Sequence, residues 1–235
     1  MIEPSHDIAH LAHVEMLTDR FEESLDFFTR VYGLQLTAQD DNSAYLRAWD
    51  DYEHHSLKLT RAATTGVGHI AYRAASPQAL ARRVEEIEAS DFKTHGWVDG
   101  DAGHGRAYRF EDPFGHVFEI YYDTVWFTPQ DDAERPALKN TASRFTGAAP
   151  RRLDHVNLLS SDVAEFRRFM ETCLGARVTE YIELDNGRIG GCWFTINNKT
   201  YDLACTEEHG GGDARLHHVT YATDQREDIL RAVDV

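Results

Sequence analysis

The amino-acid sequence points to an α+β chain of two modules, each a pair of βαβββ units, with the last unit incomplete. Two observations lead there. A pattern of an apolar residue, a spacer, His, a β-branched residue, a spacer and an apolar residue or Tyr occurs four times, at residues 11–16, 67–72, 153–158 and 216–221. Each copy opens a short apolar run and leads into a helix-period stretch, and one repeated unit fixes an architecture before any local assignment is made.

Residues 8–17 read as a strand. Thr18 or Asp19 is placed to cap the next helix, with Phe21, Leu25, Phe28 and Val31 at helical spacing and Gly33 at its end. Strand-like runs at 34–38, 44–49 and 56–60 complete the first unit, and Asp40-Asp41-Asn42-Ser43 turns between the first two. The plan restarts at Gly66 with a strand over 67–73. Ser76 caps and Pro77 opens a helix running to Ala89, with Leu80, Val84 and Ile87 on one face. A glycine-rich span over 96–105, a strand at 106–110, a turn at 111–116 and a strand at 117–122 follow. The polar residues 123–150, with Pro129, Pro136 and Pro150, show no sustained period. The modules are therefore assigned to 1–125 and 151–235, with 126–150 as linker. In the third unit Asp162 caps and Gly175 ends a helix carrying Val163, Phe166, Phe169 and Met170. Strands are expected at 176–183, 188–196 and 201–205, then a loop at 207–215 containing Gly210-Gly211-Gly212. The fourth unit offers a strand at 216–222 and a helix from Asp224, and its remaining strands would fall past Val235.

The net charge of −16 argues against nucleic acid, since phosphate binding needs Lys and Arg gathered on one face, and against an anionic membrane surface. No apolar run approaches a transmembrane span, and the first residues lack the basic-then-apolar character of a signal peptide. Cys173, Cys192 and Cys205, odd in number and without a CxxC pair, read as reduced core thiols of a cytoplasmic protein. Thirteen histidines hint at metal.

The repeat says which histidines are equivalent: His13 and His69 in the first module, His155 and His218 in the second. The shared register selects His218 over His217, which strand alternation would send to the opposite face. In the first module Glu119 also lies on a late strand. Two imidazoles and one carboxylate on neighbouring strands leave three adjacent coordination positions, the facial arrangement suited to non-haem Fe(II) that takes up substrate and O2 together. A lone His at the start of an apolar strand is more often structural. Repetition in register shows descent from one unit, without making every copy a ligand.

Tyr45-Leu46-Arg47-Ala48-Trp49, Glu111-Asp112-Pro113-Phe114-Gly115, Leu153-Asp154-His155-Val156-Asn157, Cys192-Trp193 and Arg215-Leu216-His217-His218-Val219 together carry a family resemblance. On them, and over essentially its whole length, the chain resembles the extradiol ring-cleavage dioxygenases of the vicinal oxygen chelate superfamily, of the catechol 2,3-dioxygenase and homoprotocatechuate 2,3-dioxygenase type. The resemblance implies a glyoxalase-like fold and a C-terminal module holding Fe(II), occasionally Mn(II), through His155 and His218. It implies Asn157 and Trp193 lining the substrate pocket, and a first module without catalytic metal although His13, His69 and Glu119 all stand. The family's third ligand is a Glu, which the spacing from His69 to Glu119 places past Val235, so the chain is expected to be incomplete and inactive without that segment. Where the family usually has a catalytic His, this chain has Tyr201. A phenol, titrating at about 10 against about 6.5 for imidazole, is a poor base at neutral pH but can hydrogen-bond a reduced oxygen. The implied activity is meta cleavage of a catechol-type substrate by O2 to a ring-opened semialdehyde, in aromatic hydrocarbon catabolism, by a homo-oligomer. Two rivals are a glyoxalase-like metal lyase or isomerase and a module that sequesters a small aromatic. Asn157 and Trp193 in their contexts favour the dioxygenase.

Overall fold

The first half builds one mixed sheet from two copies of the same unit. In the computed structural model, which describes residues 6–129, 146–209 and 215–235, the first copy supplies β1 (Ile8–Thr18), β2 (Gln35–Gln39), β3 (Ser43–Arg47) and β4 (Leu57–Arg61). The second supplies β5 (Gly66–Ala74), β6 (Lys93–Val98), β7 (Ala107–Glu111) and β8 (Val117–Tyr121). The strand order is β2-β3-β4-β1-β5-β8-β7-β6. The opening strands β1 and β5 pair antiparallel at the centre, and each is flanked on its other side by the last strand of its own unit, in parallel.

The second half repeats the plan with β9 (Arg152–Ser160), β10 (Arg177–Glu183), β11 (Ile189–Thr195), β12 (Leu203–Glu207) and β13 (Arg215–Ala222), in the order β10-β11-β12-β9-β13. Again the opening strands pair antiparallel, β9 with β13, and β12 lies parallel to β9. Among the described residues the fourth unit consists of β13 and a helix. This is the α+β plan of paired βαβββ units that the repeat predicts, with the last unit incomplete among the described residues.

The helices are α1 (Phe21–Asp26), continued by a π-helical turn over Phe27–Val31, then α2 (Pro77–Ala89), α3 (Val163–Leu174) and α4 (Arg226–Asp234). Two caps are as expected. Ser76 Oγ accepts from the Ala79 amide at 3.0 Å, and Asp162 Oδ1 accepts from the amides of Ala164 and Glu165 at 2.9 and 3.0 Å. Gly175 closes α3 in the left-handed region, at φ 62°.

Other local expectations are corrected. Neither Thr18 nor Asp19 caps α1; Arg20 holds that position without a side-chain cap, while Thr18 Oγ1 accepts from the Arg20 amide at 3.0 Å. Phe21, Leu25 and Phe28 pack over β3 and β4, but Val31 lies outside that cluster, because a π turn takes an extra residue and rotates the face away. α4 starts at Arg226 rather than Asp224. Gln225 and Asp228 form a reciprocal capping box, and Asp224 is drawn into an ion pair with Arg151 at 3.0 Å. β6 occupies the approach to the glycine-rich span; as a largely exposed edge strand with an irregularity beside Gly96 it shows no apolar alternation. Tyr201 precedes β12 instead of lying on it. Residues 130–145 of the expected linker and 210–214 of the expected loop lie outside the described residues.

The largest apolar cluster is shared by both sheets. α2 and α3 pack together, and the Phe169 ring on α3 lies 5.1 Å from Phe92, 5.7 Å from Phe110 and 5.0 Å from Phe118. Phe166 bridges in the same way between Phe118 and Phe194. No helix among the described residues is long and apolar enough to cross a membrane.

Cys173, Cys192 and Cys205 are free and buried, as their spacing suggests, and burial pushes their thiols up to about 12, 11 and 12. An aromatic disulfide reagent at mildly alkaline pH is therefore expected to titrate no thiol in the native protein and three once denaturant is added. Absorbance of the released thiolate checks this.

Candidate functional site

Val156 and Leu158 of β9 belong to the shared core, so His155 and Asn157 face the other side of the sheet. β13 sets His218 opposite Asn157, β12 sets Ala204 opposite Asn157, and β11 sets Trp193 opposite Ala204. Registered partners share a face. His155, Asn157, Trp193 and His218 therefore all stand on the side away from α3.

The two imidazoles meet edge to face, with Nε2 of His155 3.2 Å from Nε2 of His218 and ring planes at 78°. Asp154 Oδ2 accepts from His155 Nδ1 at 2.7 Å, which leaves the lone pair on Nε2, the state a metal ligand needs. That hydrogen bond holds the Asp154 carboxyl below its ordinary range against burial, and Lys199, 3.3 Å away, adds to the effect. Burial, then the neighbouring His217 and His155, lower the His218 imidazole and keep it neutral.

His217 departs from expectation. A β-bulge between Leu216 and His218 makes it the extra residue, and its Nδ1 comes within 2.7 Å of His218 Nδ1 instead of turning to the opposite face. Asn157 is buried and donates from Nδ2 to Thr206 Oγ1 at 3.1 Å. The Tyr201 ring lies 4.7 Å from the His155 ring, at 62°. Trp193 stands two strands away from His155 on the same face. Among the described residues no third His, Cys or carboxylate donor joins the His155–His218 pair.

The first module repeats the geometry with more donors. Val14, Ile70 and Phe118 face the core, so His13, His69 and Glu119 face away from it. His13 Nε2 lies 3.0 Å from His69 Nε2, with ring planes at 83°. The donors of His13, His69 and Glu119 lie within 4.8 Å of one another, and His13, His55 and Asp101 form an overlapping group. Sequence reasoning finds the first three and misses the other two. Asp101 and His55 come from loops outside the repeated pattern, where no spacing signals their approach.

The sequence pattern of the Glyoxalase/Bleomycin resistance protein/Dioxygenase superfamily matches residues 10–120 and 152–235. A metapyrocatechase of Geobacillus stearothermophilus is 43% identical over 220 residues, covering 93% of this chain and 67% of its own length. A manganese-dependent 2,3-dihydroxybiphenyl 1,2-dioxygenase of Geobacillus genomosp. 3 is 35% identical over 232 residues, covering 97% and 73%. Homoprotocatechuate 2,3-dioxygenase from Brevibacterium fuscum, in its anaerobic complex with 3,4-dihydroxyphenylacetate, superposes with a TM-score of 0.83 at 29% identity, over 100% of this chain and 70% of that one. The 2,3-dioxygenase LapB from Pseudomonas sp. KL28 gives 0.89 at 26% identity, over 98% and 80%. The chain spans between 62% and 80% of such solved structures. By pattern, identity and architecture, it belongs to the Glyoxalase/Bleomycin resistance protein/Dioxygenase superfamily, among its extradiol ring-cleaving dioxygenases.

Proposed function

We propose that the protein opens the ring of a catechol-type substrate with O2, beside the diol, at a divalent ion held by His155 and His218. The observation that carries this reading is the 3.2 Å approach of their Nε2 atoms, with Asp154 fixing the first ring. The donor set fits: a pair of imidazoles suits Fe(II) and Mn(II), and one relative is manganese-dependent by name. The third ligand of this centre is not among the described residues. When bound, the ion supplies a Lewis acid for the diol and an electron path between ring and O2.

The chain's own residues perform the remaining tasks. Asp154 orients His155 and is itself steadied by Lys199, which also bonds the Asp154 carbonyl. Asn157, fixed by Thr206, and Trp193 line the face on which the aromatic ring lies. Tyr201, whose ring lies beside that of His155, would serve as a hydrogen-bond donor to O2 at the site. The catalytic module is 151–235, joined through 126–150 to the first. Its three free, buried thiols suit a reducing compartment, the cytoplasm.

The test is loading a form that also supplies the expected third-ligand Glu with Fe(II) or Mn(II) without air, then addition of catechol and O2. A yellow semialdehyde with O2 consumed mole for mole is the expected result, and no O2 uptake with either ion overturns the reading. Asp154→Asn is expected to weaken binding of the ion about 10- to 100-fold, as loss of an orienting carboxylate does elsewhere. Titration with Mn(II), followed by the signal of the free ion, measures that.

A further inference from the structure

We propose that the first module binds a divalent transition-metal ion of its own, held by His13, His69 and Glu119 with Asp101 as a further donor, and that this ion is structural. Glu119 Oε1 lies 3.9 Å from His69 Nε2, and Asp101 Oδ2 lies 3.5 Å from His69 Nε2 and 3.8 Å from His13 Nε2. His13, His69 and Glu119 are each 0% exposed. Three of these four residues are gripped from behind. Glu15 Oε2 accepts from His69 Nδ1 at 2.8 Å, Arg109 Nε donates to Glu119 Oε2 at 2.7 Å, and Lys58 Nζ donates to Asp101 Oδ1 at 2.6 Å. The atoms turned inward, Glu119 Oε1 and Asp101 Oδ2, are buried and have no hydrogen-bond partner. His13 Nδ1 is buried without a partner as well. For the other three residues, outer atoms satisfied and inner atoms turned to one another is the arrangement of a metal site with its supporting shell.

Gly68 makes the support possible, since a Cβ there would stand 2.1 Å from Glu15 Oε2. Charge points the same way. Glu15, Asp101 and Glu119 bring three carboxylates, against which Lys58 and Arg109 bring two cations. A desolvated excess of negative charge calls for a cation. His104 is not that ion's ligand: its Nε2 accepts from the Asp101 amide at 3.1 Å and its Nδ1 donates to the Gly105 carbonyl at 2.9 Å. Two imidazoles with carboxylates select a first-row transition ion over Ca²⁺ or Mg²⁺. Complete burial of His13, His69 and Glu119 leaves no approach for a substrate to the ion, hence the structural role. The inference does not depend on the catalytic reading, which concerns the other sheet.

The test uses the whole chain carrying His155→Ala and His218→Ala, which removes the pair in the second module. After equilibration with Co(II) and gel filtration, one Co(II) per chain is expected, surviving brief EDTA treatment and falling to background when Glu119→Gln is added. Absence of Co(II) from the double variant, with a far-ultraviolet circular dichroism spectrum like that of the unaltered chain, overturns the proposal. So does undiminished Co(II) after Glu119→Gln. Should that third substitution unfold the protein, NMR of the Co(II)-loaded double variant decides: hyperfine-shifted N–H signals from two imidazoles support the site, and their absence overturns it.

Discussion

In a form that also supplies the third-ligand Glu, replacing His218 by Ala is expected to lower kcat/KM for ring cleavage by more than about 100-fold, since groups that merely orient a ligand are worth about 10- to 100-fold by themselves. The substitution leaves one imidazole where two nitrogens stood 3.2 Å apart, and a lone His155 cannot fix an ion in position. His217 is the informative control. Its Nδ1 lies 2.7 Å from His218 Nδ1, on the ring edge away from His155, so His217→Ala should leave activity within a few-fold. Oxygen uptake with bound metal measured in parallel separates loss of the ion from loss of turnover. Activity in H218A within tenfold of the unaltered protein would remove the pair from the mechanism.

Phe169→Ala is expected to lower the free energy of unfolding by about 3–5 kcal/mol, the range for truncating a buried aromatic ring. The ring is 0% exposed and touches Phe92, Phe110 and Phe118 across the boundary between the two halves. Urea unfolding followed by tryptophan fluorescence checks it. A change under about 1 kcal/mol, which a surface site would give, would mean that α3 does not fill the space between the sheets.

What was legible in the sequence was what local spacing encodes. Four copies of one strand pattern identified His13, His69, His155 and His218, and the structure brings them together pairwise. Ser76, Asp162 and Gly175 announced helix ends because capping is decided within a few residues. The bulge at His217 was invisible, since alternation is a property of a regular strand and the extra residue appears only when β13 pairs with β9. Asp101, Lys58 and Arg109 surround the first pair only because distant loops and strands converge there. β6 was obscured by its edge position, where one face has no core to meet and apolar periodicity is not required. The π turn after α1 hid for a similar reason, because its apolar residues still fit an α-helical spacing up to Phe28.

The aromatic seam around Phe166 and Phe169 belongs to both sheets at once, so neither half unfolds without opening the interior of the other. Calorimetry should accordingly record one endotherm rather than two. An ion or aromatic compound captured by either half then raises the melting temperature of the entire polypeptide, by mass action on a single folded state.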